Sequence, residues 1–207
     1  MKIFKGRNRV TQIFNSFHGG IDIVGDDSHD VRAVVGGVVD MVQKWNGKSK
    51  KGTQSYGNLI RIASDNKYFY YAHLNKMYVK QGQKICAGDI IGTMGNTGNS
   101  TGAHTHFEIR ANGKTTKHRI CPAEYCGIKN ARGSYKDEEN KTTINYFERS
   151  NYRGFSIVDG LKNIGVDSSY KYRCKIASAN NVPNYKGTAQ QNTYLLALLK
   201  QGRLIKP

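Results

Sequence analysis

The first part of the chain alternates apolar and polar positions with the period of two that half-buried β-strands show. Residues 103–110 alternate in this way, and residues 31–45 are rich in β-branched side chains around a central pair of glycines. An Asn-Gly pair at residues 112–113 is a turn signal typical of a β-hairpin. The pattern predicts a β-rich domain over residues 1–128.

The chain changes character after this region. Residues 129–150 are polar and have no clear period, which predicts a linker. Residues 151–207 contain short stretches of helical period, each opened by a capping side chain. The predicted N-caps are Ser156, Ser168 or Ser169, and Thr188. We therefore predict a small all-α domain of three helices, with a correspondingly small core.

Two short clusters hold side chains that divalent zinc prefers as ligands. His18 and Asp22 lie four residues apart, and His104 and His106 lie two apart on a predicted strand. Side chains alternate across a strand, so the two imidazoles of the second cluster face the same side. Three protein ligands and a water make a catalytic zinc site, whereas structural sites usually close with four protein ligands. These four groups therefore predict a catalytic zinc with one histidine left to act on a substrate.

A third element, the Tyr-Ala-His-Leu of residues 71–74, ends an aromatic strand, and a glycine-rich stretch leads from it into the His-x-His strand. With this element the sequence closely resembles the lysostaphin/LytM-type zinc peptidases, which cut the peptide part of bacterial peptidoglycan. The family's His-x-x-x-Asp motif is matched by residues 18–22, and its Gly-x-Thr-Gly-x-Ser-Thr-Gly-x-His-x-His-Phe-Glu run by residues 95–108. The resemblance covers about residues 10 to 125 and implies an antiparallel-sheet metallopeptidase domain.

The resemblance assigns zinc to His18, Asp22 and His106, and it places His73 and His104 beside a metal-bound water. Zinc lowers the pKa of a bound water to about 7 and polarises a scissile carbonyl. A neutral imidazole is suited to accept the water's proton and to return it to the leaving amine. We expect His104 to act as the general base, and His73 to orient the water or to stabilise the oxyanion.

Two further positions qualify this picture. Glu108 lies on the same strand face as the two histidines, where it is either a fourth ligand or an acceptor for an imidazole N–H. Some relatives carry a tyrosine shortly before the first motif that is thought to help stabilise the transition state. Residues 12–17 contain no tyrosine, so this contribution is absent or comes from another residue.

The chain is strongly basic, with a formal net charge of +17 at pH 7. Residues 151–207 are its most densely basic part, with 9 Lys and Arg against 2 Asp and Glu. The sequence has no zinc-finger spacing, no aromatic RNA-reading motif and no basic zipper helix, so we expect no nucleic-acid partner. The polyanionic Gram-positive wall would attract the same charge. The C-terminal segment also resembles short modules of wall-lytic enzymes, so we expect peptidoglycan as the partner of a monomer.

The four cysteines, at positions 86, 121, 126 and 174, show no Cys-x-x-Cys spacing. We expect free thiols, with a short loop closed between Cys121 and Cys126 as the alternative. The chain starts with basic residues but lacks the apolar stretch of a signal peptide, and no run approaches the ~20 apolar residues of a transmembrane helix. We therefore expect synthesis in the host cytoplasm, followed by action on the wall after release or as part of a virion.

Together these observations predict a zinc endopeptidase of peptidoglycan, as a phage or prophage endolysin of a Gram-positive host. Two other classes stay open. One is a catalytically inactive wall-binding or regulatory relative, which the presence of every ligand and both further histidines disfavours. The other is a basic nucleic-acid-binding protein. The sequence favours cleavage between D-alanine and meso-diaminopimelate, because no glycine-specific feature is recognisable, and leaves glycine bridges open.

Overall fold

The computed structural model describes residues 1–136, 145–180, 182 and 184–207. The central part of the predicted linker, residues 137–144, lies outside the described residues. Strands dominate the part before it and helices the part after it. The predicted fold class, a mainly antiparallel β domain followed by three helices, is confirmed.

Twelve strands occur in the described part of the chain. They are β1 (Asn8–Gln12), β2 (Ile21–Gly25), β3 (Asp30–Arg32), β4 (Gly37–Gln43), β5 (Asn58–Ser64), β6 (Lys67–Leu74), β7 (Lys76–Met77), β8 (Lys84–Ile85), β9 (Ile90–Thr93), β10 (Thr105–Ala111), β11 (Arg119–Ile120) and β12 (Gly133–Tyr135). Nine of them form one antiparallel sheet in the order β12-β1-β2-β10-β6-β5-β4-β8, with β11 paired to β10. The other three form a small antiparallel sheet in the order β3-β9-β7.

Strand β10 lies near the middle of the large sheet, between β2 and β6. Its register sets His106 opposite Asp22 on β2 and opposite Ala72 on β6. On the other face of β10, Phe107 and Ile109 are fully buried in the main core. The period-two alternation of this strand therefore separates the residues that build the core from those that build the site.

Three helices follow, namely α1 (Ile157–Asn163), α2 (Tyr170–Ala179) and α3 (Ala189–Lys200). The side chains of Ser156, Ser169 and Thr188 cap them by accepting hydrogen bonds from backbone N–H groups of the first turn. Thr188 and Gln191 form a complete capping box. Within the described part of the chain, no helix is long and apolar enough to cross a bilayer.

Both described ends of the predicted linker join a neighbouring domain. Strand β12 pairs with β1 at the edge of the large sheet. On the other side, Tyr146 bridges to Ile205, and Phe147 is buried in the core formed by the helices. The proposed domain boundaries stay a prediction, with ordered chain reaching into the linker from each side.

The expectation of free thiols is wrong for two of the four cysteines. Cys86, which follows β8, forms a disulfide with Cys174 of α2 across a sequence separation of 88 residues. Cys121 is exposed and Cys126 is buried, and both are free, so they do not close a short loop. Sequence spacing could not show this pairing, because the two partners meet only when the helices pack against the β domain.

The contact around the disulfide is reinforced by a buried carboxylate. Asp89 accepts hydrogen bonds from the backbone N–H of Cys86 and from that of Asn184, each at 2.8 Å. Cys86 itself belongs to the apolar cluster of the helices. The helical segment is therefore attached to the β domain by a covalent bond, a hydrogen-bonded carboxylate and a shared core.

Reduction of the disulfide is expected to lower the free energy of unfolding by about 2–4 kcal/mol, because the cross-link restricts the unfolded chain over a long loop. Urea unfolding followed by circular dichroism, with and without a reducing agent, measures this difference. The Cys174→Ser variant should unfold at the lower midpoint in both conditions, whereas Cys121→Ser should behave as the unmodified chain. Identical midpoints for the oxidised and reduced chain would contradict the stabilising role.

Candidate active site

Four backbone segments converge at one end of the large sheet. Asp22 lies on β2, His106 lies on β10, and His73 is the penultimate residue of β6. His18 comes from the loop between β1 and β2, and His104 directly precedes β10, where it forms a backbone bridge with Gly95. All five residues predicted as site residues are brought together.

The three predicted metal ligands present their donor atoms to a common point. Nε2 of His18 lies 3.2 Å from Oδ1 of Asp22 and 3.1 Å from Nδ1 of His106. Nδ1 of His106 lies 2.8 Å from the same carboxylate oxygen. Two imidazole nitrogens and one carboxylate oxygen are a ligand set that suits a catalytic zinc site, in which one position is kept for water.

The outer nitrogens of the two ligand imidazoles are held by acceptors. Nδ1 of His18 lies 2.9 Å from the backbone carbonyl of Ile13. Nε2 of His106 lies 3.5 Å from Oε2 of Glu108. A carbonyl or carboxylate oxygen only accepts, so each outer nitrogen carries the hydrogen, which directs the other nitrogen of the ring to a metal. Glu108 thus stands behind His106 as an acceptor.

The two further histidines are fixed in the same way. Nδ1 of His73 donates to the carbonyl of Thr97 at 2.8 Å, and Nδ1 of His104 donates to the carbonyl of Gly102 at 2.8 Å. Their rings lie 4.8 Å apart, and Nε2 of His104 is 3.6 Å from Oδ1 of Asp22. In the neutral form each ring therefore presents an Nε2 lone pair toward the ligand cluster.

The glycine-rich run before β10 has a structural explanation. His73 has a φ of +61°, a left-handed conformation that few non-glycine residues adopt. Thr97 supports it from the run, because its carbonyl accepts from the imidazole and its hydroxyl donates to the carbonyl of Leu74 at 2.9 Å. Gly98 has a φ of +78°, and a Cβ there would lie 2.4 Å from the backbone nitrogen of Gly57. The run thus holds His73 by close backbone packing.

The chemistry of the donor set fits a cation. When each ring carries a single hydrogen, on its outer nitrogen, the lone pairs of several imidazoles converge with a buried carboxylate. Burial favours the neutral form of His106, but its hydrogen bonds to Asp22 and Glu108 prevail and raise its pKa. A proton on Nδ1 of His106 and a metal ion therefore compete for the same place beside Asp22.

The neighbouring pKa values follow the same electrostatics. Burial alone would raise the pKa of Asp22, but hydrogen bonds from His106 and His18 hold it well below its usual range, so the carboxylate is charged. Burial lowers the pKa of His73 to about 4. At neutral pH the structure therefore offers a charged Asp22 as ligand and a neutral His73 beside it.

A cluster of charged side chains around Glu108 lies behind His106. The sequence pointed to Glu108 but not to the residues that surround it. Glu108 is completely buried, and Oε2 accepts a hydrogen bond from the hydroxyl of Tyr56 at 2.8 Å. The guanidinium groups of Arg110 and Arg119 both form ion pairs with Oε1 of Glu108, in each case through Nε. Burial would raise the pKa of Glu108, but hydrogen bonds from His106 and the arginines lower it to about 2. Neither Tyr56 nor Arg119 belongs to one of the motifs recognised in the sequence. Tyr56 comes from the segment between β4 and β5 and Arg119 from β11, so both reach the site only in the folded chain.

The site opens into a cleft of about 650 Å³. Its walls carry the five predicted residues together with polar and aromatic groups that come from five separate segments of the chain. These additional residues are Gln12, Phe17, Gly19, Gly52, Ser55, Tyr56, Asn99, Ser100, Thr101, Thr116 and Arg119. The candidate metal ligands and both further histidines therefore line a cleft that a substrate can enter.

The part of the chain that carries this site matches a known family. The model of peptidase family M23 matches residues 16–118, a range that includes every predicted site residue. This domain belongs to peptidase family M23. The assignment agrees with the lysostaphin/LytM-type resemblance of the sequence and accounts for an antiparallel sheet that carries a His-Asp-His cluster.

Two curated relatives show the range of proteins that share the domain. DD-carboxypeptidase/endopeptidase Mpg of Neisseria meningitidis serogroup B is 39% identical over 98 residues, 47% of this chain and 21% of that protein. Murein hydrolase activator NlpD of Escherichia coli is 38% identical over 111 residues, 52% of this chain and 27% of that protein. The chain thus spans about a fifth to a quarter of the length of these M23 relatives.

Solved M23 structures are similar as well. A crystal structure of a mutant catalytic domain of the prophage-encoded M23 protein EnpA from Enterococcus faecalis is 32% identical. The match covers 54% of this chain and 81% of that one, with a TM-score of 0.43.

Glu108→Gln is expected to weaken zinc binding by about ten- to a hundredfold, because His106 loses the charged acceptor that orients its ring. Competition with a chromophoric chelator measures the dissociation constant. Glu124→Gln removes the same charge at an exposed position of the domain and should leave zinc affinity unchanged. Equal affinity in the Glu108 variant and the unmodified chain would show that this carboxylate does not support the ligand.

Proposed function

We propose that the chain is a zinc-dependent endopeptidase that hydrolyses an amide bond in the cross-linking peptides of peptidoglycan. The proposal is supported most by one observation, namely that three converging ligand atoms stand beside two further imidazoles with fixed outer nitrogens. A structural zinc site would use a fourth protein ligand, and a protein that only binds the wall needs no general base. Membership of the M23 family supports the same reaction class.

The residues of this chain suit the required proton transfers. His18, Asp22 and His106 would hold zinc, which would supply a Lewis acid for the scissile carbonyl and lower the pKa of water. In the proposed mechanism, Nε2 of His104 accepts the proton of the attacking water and passes it to the leaving amine. Nε2 of His73 accepts a hydrogen bond from the same water. Because its pKa is lowered to about 4, His73 is neutral and lacks a hydrogen on Nε2, which favours orienting the water over donating to an oxyanion.

The cell-wall context is a further part of the proposal. We infer a phage or prophage endolysin of a Gram-positive host, made in the cytoplasm and acting on the wall after release or with a virion. A net charge of +17 favours association with a polyanionic wall. The Cys86–Cys174 disulfide suits a site of action outside the reducing cytoplasm.

His104→Ala is expected to lower the turnover of purified wall peptides by about 10² to 10⁴ while zinc stays bound, because only the general base is lost. His106→Ala is expected to lose zinc and activity together. Metal content by atomic absorption, measured beside turnover, separates these two outcomes. Removal of zinc from the unmodified chain by a chelator should abolish hydrolysis, and added zinc should restore it.

His29 provides the matched control, because it is exposed and lies outside the cleft. His29→Ala should keep both zinc and activity. Loss of zinc in the His104 variant would reverse the roles assigned to the two histidines of the pair. Full hydrolysis by zinc-free protein would refute the proposed mechanism, and zinc binding without hydrolysis of any wall peptide would favour an inactive, regulatory relative.

The C-terminal helices are proposed to hold the enzyme on the wall. The segment from residue 151 onward carries 9 basic against 2 acidic side chains, and tethering raises the concentration of an enzyme at an immobile substrate. Binding of the full His104→Ala chain to purified walls, followed by sedimentation, is expected to weaken as salt rises. Exchange of the exposed Lys162 and Lys186 for glutamine should weaken it more than exchange of the exposed Lys44 and Lys80. An equal effect of both pairs would remove the targeting role.

A further inference from the structure

Two guanidinium groups share one buried carboxylate next to the cleft, and one of the two lines the cleft. Nε of Arg110 lies 2.5 Å and Nε of Arg119 lies 3.0 Å from Oε1 of Glu108. The hydroxyl of Tyr56 accepts a hydrogen bond from Nη2 of each arginine at 2.9 Å. Neither arginine has another carboxylate partner among the described residues. The cluster therefore carries one positive charge more than Glu108 can balance.

Arg110 is the arginine that balances Glu108. It is buried, its Nη1 donates to the carbonyl of Lys114, and its guanidinium lies 4.2 Å above the ring of Tyr70. All three nitrogens of the Arg110 guanidinium and one of its faces therefore contact groups of the protein. The excess charge consequently belongs to the second arginine of the cluster.

Arg119 is held less completely and lines the cleft. Its side chain is 31% exposed, and it belongs to the same cleft wall as His18 and His106. A guanidinium has five N–H donors. Nη2 donates to Tyr56, and Nε is buried 3.0 Å from Oε1 of Glu108, whereas Nη1 makes no hydrogen bond within the described part of the chain. A partly desolvated cation with free donors is suited to bind an anionic group of a ligand.

The guanidinium lies directly beside the metal-binding loop. A Cβ added to Gly19 would lie 2.3 Å from Cζ and Nε of Arg119, so the arginine packs on the backbone of the residue that follows the ligand His18. Pairing of β11 with β10 fixes the backbone of Arg119 in this place. A group bound by Arg119 is therefore adjacent to a bond positioned at the metal site.

We propose that Arg119 binds a free carboxylate of the substrate next to the scissile amide and thereby determines which cross-link is cut. This inference rests on the proposed function. In a cross-link from D-alanine to meso-diaminopimelate, the carbon that bears the leaving amine also bears a free carboxylate. In a glycine bridge, the corresponding carboxyl group is consumed by the next peptide bond. Arg119 lies just outside the residues that match the M23 family, 16–118.

The test compares two soluble cross-linked peptides that differ only in this carboxylate, which is free in one and amidated in the other. The unmodified zinc-loaded chain should show a kcat/KM about ten- to a hundredfold higher for the free acid, the range expected for a charge-assisted contact. Arg119→Gln should bring this ratio close to one through loss of activity on the free acid. Arg119→Lys should keep an intermediate ratio, because lysine retains the positive charge but lacks the planar pair of N–H donors that binds both oxygens of a carboxylate.

Two controls separate recognition from a change in net charge or folding. Lys117 is exposed, lies two residues away and does not line the cleft, so Lys117→Gln should keep the original ratio. Gly19→Ala should lower the ratio while Arg119 is still present, because the added Cβ displaces the guanidinium. Zinc content and thermal unfolding of each variant are measured alongside.

Binding of both peptides to the chelator-treated chain, measured by calorimetry, provides a readout that does not require hydrolysis. Tighter binding of the free acid that disappears in Arg119→Gln supports the inference even if no peptide is cut, in which case the proposed function alone fails. An unmodified chain that cuts and binds both peptides equally would overturn the role of Arg119. The same holds if Arg119→Gln keeps the original preference.

Discussion

The site depends on one constraint, which is that the outer nitrogen of each cleft imidazole is held by an oxygen that cannot donate a hydrogen. Backbone carbonyls hold His18, His73 and His104, and the carboxylate of Glu108 holds His106. Each ring is thereby fixed in orientation and in the position of its hydrogen. Lone pairs then converge with the carboxylate of Asp22, and a cation is the partner that such a group of acceptors requires. The roles proposed for these histidines, as metal ligand, general base and orienting group, therefore depend on the same kind of hydrogen bond.

These hydrogen bonds require that the backbone positions of the site residues are fixed. The pairing of β10 with a strand on each side fixes them. Cross-strand register with β2 and β6 places Asp22 on one side of His106 and the end of β6 on the other. Buried Phe107 and Ile109 anchor the opposite face of the strand in the core. A slip by one residue would exchange the two faces and destroy core and site together, so folding and ligand geometry are specified by the same pairing.

Charge balance extends the site beyond its ligands. Glu108 is buried only because Arg110, Arg119 and Tyr56 compensate it, since an isolated buried carboxylate would take up a proton. Two guanidinium groups face this one carboxylate, and of the two only Arg119 lines the cleft. On the far side of the molecule, the disulfide and the buried Asp89 hold the helices against the β domain.

Local pattern in the sequence predicted the β-rich and helical parts of the chain, and together with the family resemblance it named five candidate site residues that the structure brings close together. Alternation along residues 103–110 predicted β10 and the shared face of its histidines, and capping residues such as Ser156 and Thr188 predicted where helices begin, because both signals depend on neighbours a few residues apart. Tertiary structure alone decided the Cys86–Cys174 disulfide, and it alone brought Tyr56 and Arg119 to Glu108. These contacts join residues that are far apart along the chain, and their distances depend on strand register and on the docking of the helices, neither of which a local pattern encodes.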